Sequence, residues 1–102
     1  MSEATTGALE ESWKRTIEYL ETAKSRLSLP LQEDFERGTL GRYIEYLSFN
    51  ELELALDELI GLGELNKAPV EYWRDLEVAA RNMELSGHVV RIGDKILNFH
   101  TG

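Results

Sequence analysis

The stretch from Asn50 to Glu64 constrains the fold more than any other part of the chain. Its sequence, NELELALDELIGLGE, is dense in leucine, alanine and carboxylates and contains no basic residue. Apolar residues recur at the spacing of a helix that buries one face, namely at Leu52, Ala55, Leu56, Leu59 and Leu62. The stretch therefore predicts a helix with a buried leucine face, and the opposite, solvent-facing side carries Glu53, Asp57 and Glu64.

Both ends of this predicted helix carry signals. Asn50 is a suitable N-cap, because its side-chain oxygen can accept from the free N–H groups of the first turn. Glu51 and Glu53 then lie near the positive end of the helix dipole. The glycines towards the far end favour a C-terminal stop around Gly63. A single kinked helix from Leu40 to Gly63 is the alternative to separate helices on either side of Asn50.

The first part of the chain carries a longer helical pattern. One narrow apolar stripe predicts a helix from Ala8 to about Leu27, with Trp13 as a core anchor in its middle. The stripe consists of Leu9, Trp13, Ile17, Leu20, Ala23 and Leu27. Residues 1–7 precede the stripe, and we expect them to be frayed.

Three further helices are expected before the C-terminal tail. Proline disfavours helix in the residue before it, so the first helix is expected to end before Pro30. A short helix is expected over Leu31 to Arg37. Thr39 is placed to cap a helix from Leu40 to Phe49. Pro69 is placed to begin a helix that extends to Met83.

The tail from His88 to Phe99 differs in composition from the rest of the chain. It is rich in β-favouring residues and has Gly93-Asp94 at its centre, which suggests a short β-hairpin. No two-residue turn, however, puts all of its apolar residues on one face. The predicted fold is mainly α, a small helical bundle of four to five helices, with a C-terminal β-hairpin as the form suggested for the tail.

Size and charge limit what the protein can be. At 102 residues the chain is expected to form a single helical domain, 1–102, with one modest core. A net charge of −8 argues against a nucleic-acid-binding surface and against adsorption to an anionic membrane. The sequence has no cysteine, no apolar run approaching the roughly 20 residues of a membrane span and no signal-peptide pattern, so the expected compartment is the cytoplasm.

The sequence lacks the residue patterns of catalysis and metal binding. The histidines are His88 and His100, and neither has a carboxylate at metal-ligand spacing. Adjacent carboxylates such as Asp57-Glu58 point about 100° apart on a helix, so they cannot share a proton. We therefore expect no catalytic residues, no metal site and no cofactor, and a protein that acts by binding.

A run of acidic residues is the strongest candidate for a binding surface. Between Tyr43 and Asn66 the chain has several carboxylates but no lysine or arginine. Acidic surfaces steer basic partners, which predicts a docking patch with Tyr46, Phe49 and Leu54 as apolar companions; the alternative is a solvated helix face. The predicted partner-binding residues are Glu45, Tyr46, Glu51, Glu53, Asp57, Glu58 and Glu64.

The middle of the chain also resembles a known family. The run RYIEYLSFNELELALDELIGLGE, followed by PVEYWRDLEVAARNMEL, is similar to the small helical immunity proteins of bacterial polymorphic-toxin systems, in particular the MafI-like group. The shared pattern is an aromatic–aliphatic helix, a polar break with glutamate, an Ala-Leu-acidic-x-Leu core, a glutamate-containing loop and a last helix ending near Met-x-Leu. Here those elements are Tyr43-Ile44, Asn50-Glu51, Leu54 to Leu59, Glu64 and Met83 to Leu85.

The resemblance covers about half of the chain. It implies that the protein neutralises a cognate toxin, often a nuclease, by tight binding in the cytoplasm of the producing cell. An acidic helical protein suits that role, because a nuclease cleft must be positive to hold phosphates. The alternative function is that of an acidic helical adaptor or regulatory module that binds a basic segment of a housekeeping partner.

Overall fold

The protein is a bundle of helices. The computed structural model describes the backbone of residues 2–101 and the side chains of residues 8–99. Helices make up 74% of the chain, and the described part contains no strand. The helices are α1 (Ser2–Ser25), α2 (Leu40–Ser48), α3 (Leu52–Leu65), α4 (Val70–Asn82) and α5 (Ser86–Thr101). The prediction of a mainly α bundle of four to five helices is confirmed.

Helix α3 lies at the centre of the packing. It contacts α1, α2 and α4, while α4 packs against both α1 and α5. The predicted leucine face is confirmed, since Leu56, Leu59 and Leu62 are fully buried. Burying each such side chain contributes roughly 1.5–3 kcal/mol. The other helices also contribute to this core, through Leu20, Ala23, Tyr43, Tyr72, Leu76, Ala80 and Ile92.

Helices α2, α3 and α4 each end with a residue in the left-handed conformation. These residues are Asn50 (φ 56°), Lys67 (φ 49°) and Glu84 (φ 58°). After α2, the amide of Glu51 donates to the carbonyl of Tyr46 at 2.8 Å, which is the bond of a Schellman motif. Asn50 therefore ends α2, and the prediction that it caps α3 is wrong. The alternative of one kinked helix is also wrong, since α2 and α3 are separate.

Two glycines lie inside α3, which ends at Leu65, two residues beyond the predicted stop around Gly63. A Cβ on Gly61 would lie 1.8 Å from the carbonyl oxygen of Arg37, and one on Gly63 would lie 2.5 Å from the ring of Tyr72. Glycine costs about 1 kcal/mol in a helix interior. The helix tolerates this cost because a loop and an aromatic ring press directly against its backbone.

The segment between α1 and α2 is a loop, and the helix predicted over Leu31 to Arg37 is wrong. The carboxylate of Asp34 accepts from the amide of Glu36 at 2.9 Å and from the amide of Arg37 at 3.1 Å. Backbone pairing between Asp34 and Gly38 closes the turn. An aspartate that bonds to amides two and three residues further on competes with helix for the same backbone groups.

The C-terminal tail is a helix, α5, and the predicted β-hairpin is wrong. Ile92 is fully buried, and Val89 and Ile96 pack against the core at helical spacing on either side of it. β-Branched residues lower helix stability only slightly. Burial of this stripe against α4 therefore outweighs their preference for strand. Ser86 and Gly87 lie in the first turn of α5.

Helix α1 is buried mainly in its C-terminal half. Leu20 and Ala23 are fully buried, whereas Leu9 is 49% and Trp13 is 38% exposed. Trp13 is therefore not the core anchor that the stripe predicted, because α1 has 24 residues and α4, which covers it, has 13. The backbone of residues 2–7 belongs to α1, so the fraying predicted for it is wrong, and Met1 lies outside the described residues.

Candidate partner-binding surface

The residues predicted to bind a partner fall into two groups. The first group has side-chain partners within the chain, with Asp57 bonded to His88 and with Glu58 and Glu64 in ion pairs. The second group is exposed and consists of Glu45, Glu51 and Glu53. The remaining residue, Tyr46, is partly buried and packs against the core. The single acidic face expected from the sequence is thus two surfaces with different properties.

Glu58 connects α3 to the start of α2. Its Oε1 accepts from the backbone amide of Thr39 at 3.1 Å. The same oxygen lies 3.0 Å from Nε of Arg42, as an ion pair without a well-directed hydrogen bond. Arg42 also stacks over the ring of Phe35, 4.8 Å from its centroid. Thr39 caps α2 as predicted, because its side chain accepts from the Arg42 amide at 3.2 Å. Glu58 is therefore a structural residue.

Asp57 and Glu64 face a matching row of basic residues on α5. Nε2 of His88 lies 2.8 Å from Oδ1 of Asp57, and Nζ of Lys95 lies 2.6 Å from Oε2 of Glu64. The guanidinium of Arg91 lies between them in sequence and 3.9 Å from Glu64. Both helices space these partners seven residues apart (57 to 64 and 88 to 95). Seven residues are about two helical turns, so the rows remain in register.

These ion pairs correct the expectation that Asp57 and Glu64 lie on a free solvent face. Arg37, from the loop before α2, also lies near Glu64, at 3.9 Å, so several cations surround this one carboxylate. The sequence did contain the signal, since His88, Arg91 and Lys95 follow the i, i+3, i+7 spacing of a helix. A hairpin places residues three apart on opposite faces, and the expectation of a hairpin therefore concealed the row.

The exposed group forms a corner where α2 meets α3. None of its carboxylates has an ion pair or a side-chain hydrogen bond among the residues that the structure describes. The same stretch of the chain carries exposed apolar side chains, with Ile44 53%, Phe49 71% and Leu54 39% exposed. Exposed apolar surface rimmed by polar groups is typical of interaction sites. We call this surface the acidic corner, and it consists of Ile44, Glu45, Phe49, Glu51, Glu53 and Leu54.

The acidic corner is held in place by the fold beneath it. Tyr46 and Leu47, in the last turn of α2, pack against the core, and the Schellman bond to Tyr46 fixes the turn that follows. Tyr43, one turn earlier, is fully buried, and its hydroxyl donates to Glu21 on α1 at 2.7 Å. A surface ordered before binding loses less conformational entropy when a partner docks.

Two buried tyrosines have perturbed acidities that follow from this packing. Burial, and then the hydrogen bond to Glu21, raise the pKa of Tyr43 well above its ordinary value. Burial raises the pKa of Tyr72 in the same direction, and its hydroxyl donates to the carbonyl of Leu59. Both hydroxyls are therefore protonated donors that join helices: α2 to α1, and α4 to α3.

Comparisons with known proteins give no relative from which a function could be transferred. A scan against protein-family models, a search of curated proteins and a search of solved structures each return no match. The described side chains contain no group of three or more potential metal ligands. Among the described residues, no helix is long and apolar enough to cross a membrane. Function must be inferred from the surface itself.

Proposed function

We propose that this chain is an immunity protein that binds and neutralises a cognate bacterial toxin, with a nuclease-type effector as the expected target. The observation that carries the proposal is the acidic corner, where Glu45, Glu51 and Glu53 are exposed and unpaired beside Phe49. The sequence resemblance to helical immunity proteins supports the same function. Since the other predicted carboxylates already have side-chain partners within the chain, the proposed contact is the acidic corner and not the whole outer face of α3.

A basic cleft is the expected counterpart of this surface. A nuclease must present lysine and arginine to hold the phosphates of its substrate. Carboxylates on a rigid corner can occupy the positions of those phosphates, and opposite charge accelerates the encounter. Phe49, at 71% exposure, supplies an aromatic side chain of the kind that is enriched at protein interfaces.

The distribution of the protein's own cations supports this assignment. Arg37, Arg91 and Lys95 gather around Glu64 near the end of α3. The carboxylates of the acidic corner lie instead at its start, in a helix of 14 residues. Glu53 and Glu64 are eleven residues apart on α3, which corresponds to about 16 Å, or about twice the Debye length of about 8 Å at physiological salt. The cations therefore offset the negative potential of the acidic corner only weakly.

Co-expression with the protein encoded next to this chain tests the proposal. That protein should arrest growth when produced alone, and this chain should restore growth. The triple variant Glu45→Lys, Glu51→Lys, Glu53→Lys should lose protection and associate more slowly, with a larger effect at low salt than at high salt. Its circular dichroism should remain that of the wild type, because these carboxylates have no side-chain partner among the described residues, while the thermal midpoint should fall by a few degrees, because Glu51 and Glu53 lie at the positive end of the α3 dipole.

A matched control separates a specific surface from general charge. Glu10, Glu11 and Glu18 are exposed carboxylates on α1, and reversing all three changes the net charge by the same amount. This control should still protect. Full protection by the corner variant, or equal loss in both variants, would contradict the proposed contact. A neighbouring protein that binds the acidic corner without being toxic would overturn the immunity function in favour of an adaptor.

A further inference from the structure

A second exposed surface is the groove between α4 and α5, here called the α4–α5 groove. It has a volume of about 670 Å³ and is lined by apolar side chains from both helices. Val78 is 39%, Val90 66% and Leu97 59% exposed. An exposed apolar groove on a protein of this size is typical of a contact site for another chain.

Gly93, at the middle of α5, lines this groove. Glycine weakens a helix interior, and in α3 the fold requires it, because backbone and rings press against Gly61 and Gly63. At Gly93 an added Cβ would meet, among the described residues, no atom within 4 Å except the flexible end of Glu77 at 3.8 Å. Packing within the chain therefore does not require this glycine, and its position in the groove leaves the backbone of α5 open to close approach by a helix from outside.

The charges along the groove indicate which chain the approaching helix comes from. Glu77 and Arg81 pair with each other at 3.7 Å. Arg74 on α4 and Asp94 on α5 line the same groove and have no ion pair among the described residues. The groove is thus locally neutral, in a chain whose net charge of −8 opposes contact between copies elsewhere. Across a two-fold axis, Arg74 of each copy can meet Asp94 of the other.

We propose that the α4–α5 groove is a homodimer interface, occupied by the α5 helix of a second copy that crosses at Gly93. Val90 and Leu97 lie one turn before and one turn after the crossing point and pack against the second copy. The acidic corner is carried by α2 and the start of α3, so the dimer presents two acidic corners. This inference is independent of the proposed function.

Exchange of charge between copies tests the pairing. Sedimentation equilibrium of the full chain over a concentration series should show reversible dimers. Arg74→Asp and Asp94→Arg should each raise the dimer dissociation constant about tenfold or more, because each places like charges together at both symmetry-related contacts. Mixing the two variants should restore the dimer, since both contacts in the heterodimer again join opposite charges. Impaired variants that do not rescue each other when mixed would overturn the pairing.

Two substitutions in the groove, each with a matched control, test the interface itself. Val90→Glu and Gly93→Gln should prevent dimerisation while the helical circular dichroism is retained, because the monomer has room for both side chains. Ile44→Glu is the control for Val90→Glu, because Ile44 is also an exposed apolar residue, at 53%. Gly41→Gln is the control for Gly93→Gln, because a Cβ at Gly41 would have no neighbour within 4 Å. These controls should dimerise as the wild type does. A monomeric wild type throughout, or groove variants that dimerise as well as their controls, would overturn the interface.

Discussion

Replacing Gly61 with alanine adds one methyl group to α3, at the point where the loop before α2 crosses it. The added Cβ would lie 1.8 Å from the carbonyl oxygen and 2.6 Å from the carbonyl carbon of Arg37, whereas ordinary contact begins at about 3.5 Å. The obstacle is backbone, and the bonds that the Asp34 carboxylate accepts hold it in place. It cannot rotate away as a side chain would.

Two opposing effects set the size of the change in stability. Alanine returns about 1 kcal/mol of helix propensity. Inserting a methyl group into a closely packed site costs about 1–3 kcal/mol, and more where backbone must move. With an overlap this deep, we expect Gly61→Ala to lower the free energy of unfolding by about 2 kcal/mol. In a urea titration followed by circular dichroism, that loss should lower the midpoint by roughly 1 M, for a slope of about 1–3 kcal/mol per M.

Gly41→Ala is the matched control, because a Cβ at Gly41 would meet nothing within 4 Å. It should leave the free energy of unfolding unchanged or raise it by up to about 1 kcal/mol through helix propensity alone, so the urea midpoint should not fall. A midpoint for Gly61→Ala at or above that of the wild type would refute the argument that close packing, and not helix termination, explains the glycines of α3.

Other substitutions test the helix ends, the buried tyrosines and the ion pairs. Glu84 ends α4 with φ 58°, so Glu84→Gly should stabilise the protein by about 0.5–1 kcal/mol in a thermal melt. Burial raises the pKa values of Tyr43 and Tyr72, so the unfolded chain releases these protons at a lower pH than the folded chain does. The free energy of unfolding should therefore fall as the pH rises above about 10. Tyr72→Phe should make that fall shallower, as measured by urea titrations on either side of this pH. Glu64→Gln should cost about 1 kcal/mol because it leaves the cations of α5 unpaired, whereas Glu53→Gln should stay within about 0.5 kcal/mol of the wild type. Equal costs at these two glutamates would contradict their assignment to different surfaces.

The helices and the core of α3 could be predicted because their signal is local. The spacing of Leu52, Leu56 and Leu59 specifies a buried helix face whatever the neighbouring elements are. The cap at Thr39 was predictable for the same reason, since a cap depends on residues within one turn. The α5 helix was missed because its β-branched residues favour strand locally, and only burial of Ile92 against α4 reverses that preference.

The acidic surface could be predicted in charge but not in extent. Sequence shows the carboxylates of α3, but whether they are free depends on which helix lies beside them. Asp57 and Glu64 have partners because α5, packed on α4, presents His88 and Lys95 at the matching seven-residue spacing, and this arrangement follows from tertiary packing. The glycines of α3 raise the same difficulty, because Gly61 and Gly63 have the same local signal whether they end a helix or receive a neighbour.

Mapping the surface of this chain that contacts its partner is the most direct test of the proposed function. Backbone amide NMR spectra of the isotope-labelled chain, recorded with and without the neighbouring protein proposed as its toxin, would locate that surface residue by residue. If the acidic corner is the contact, the largest chemical-shift changes and losses of signal intensity should occur within residues 44–54. Shifts confined to residues 8–18 of α1 or to the α4–α5 groove, with residues 44–54 unchanged, would contradict it.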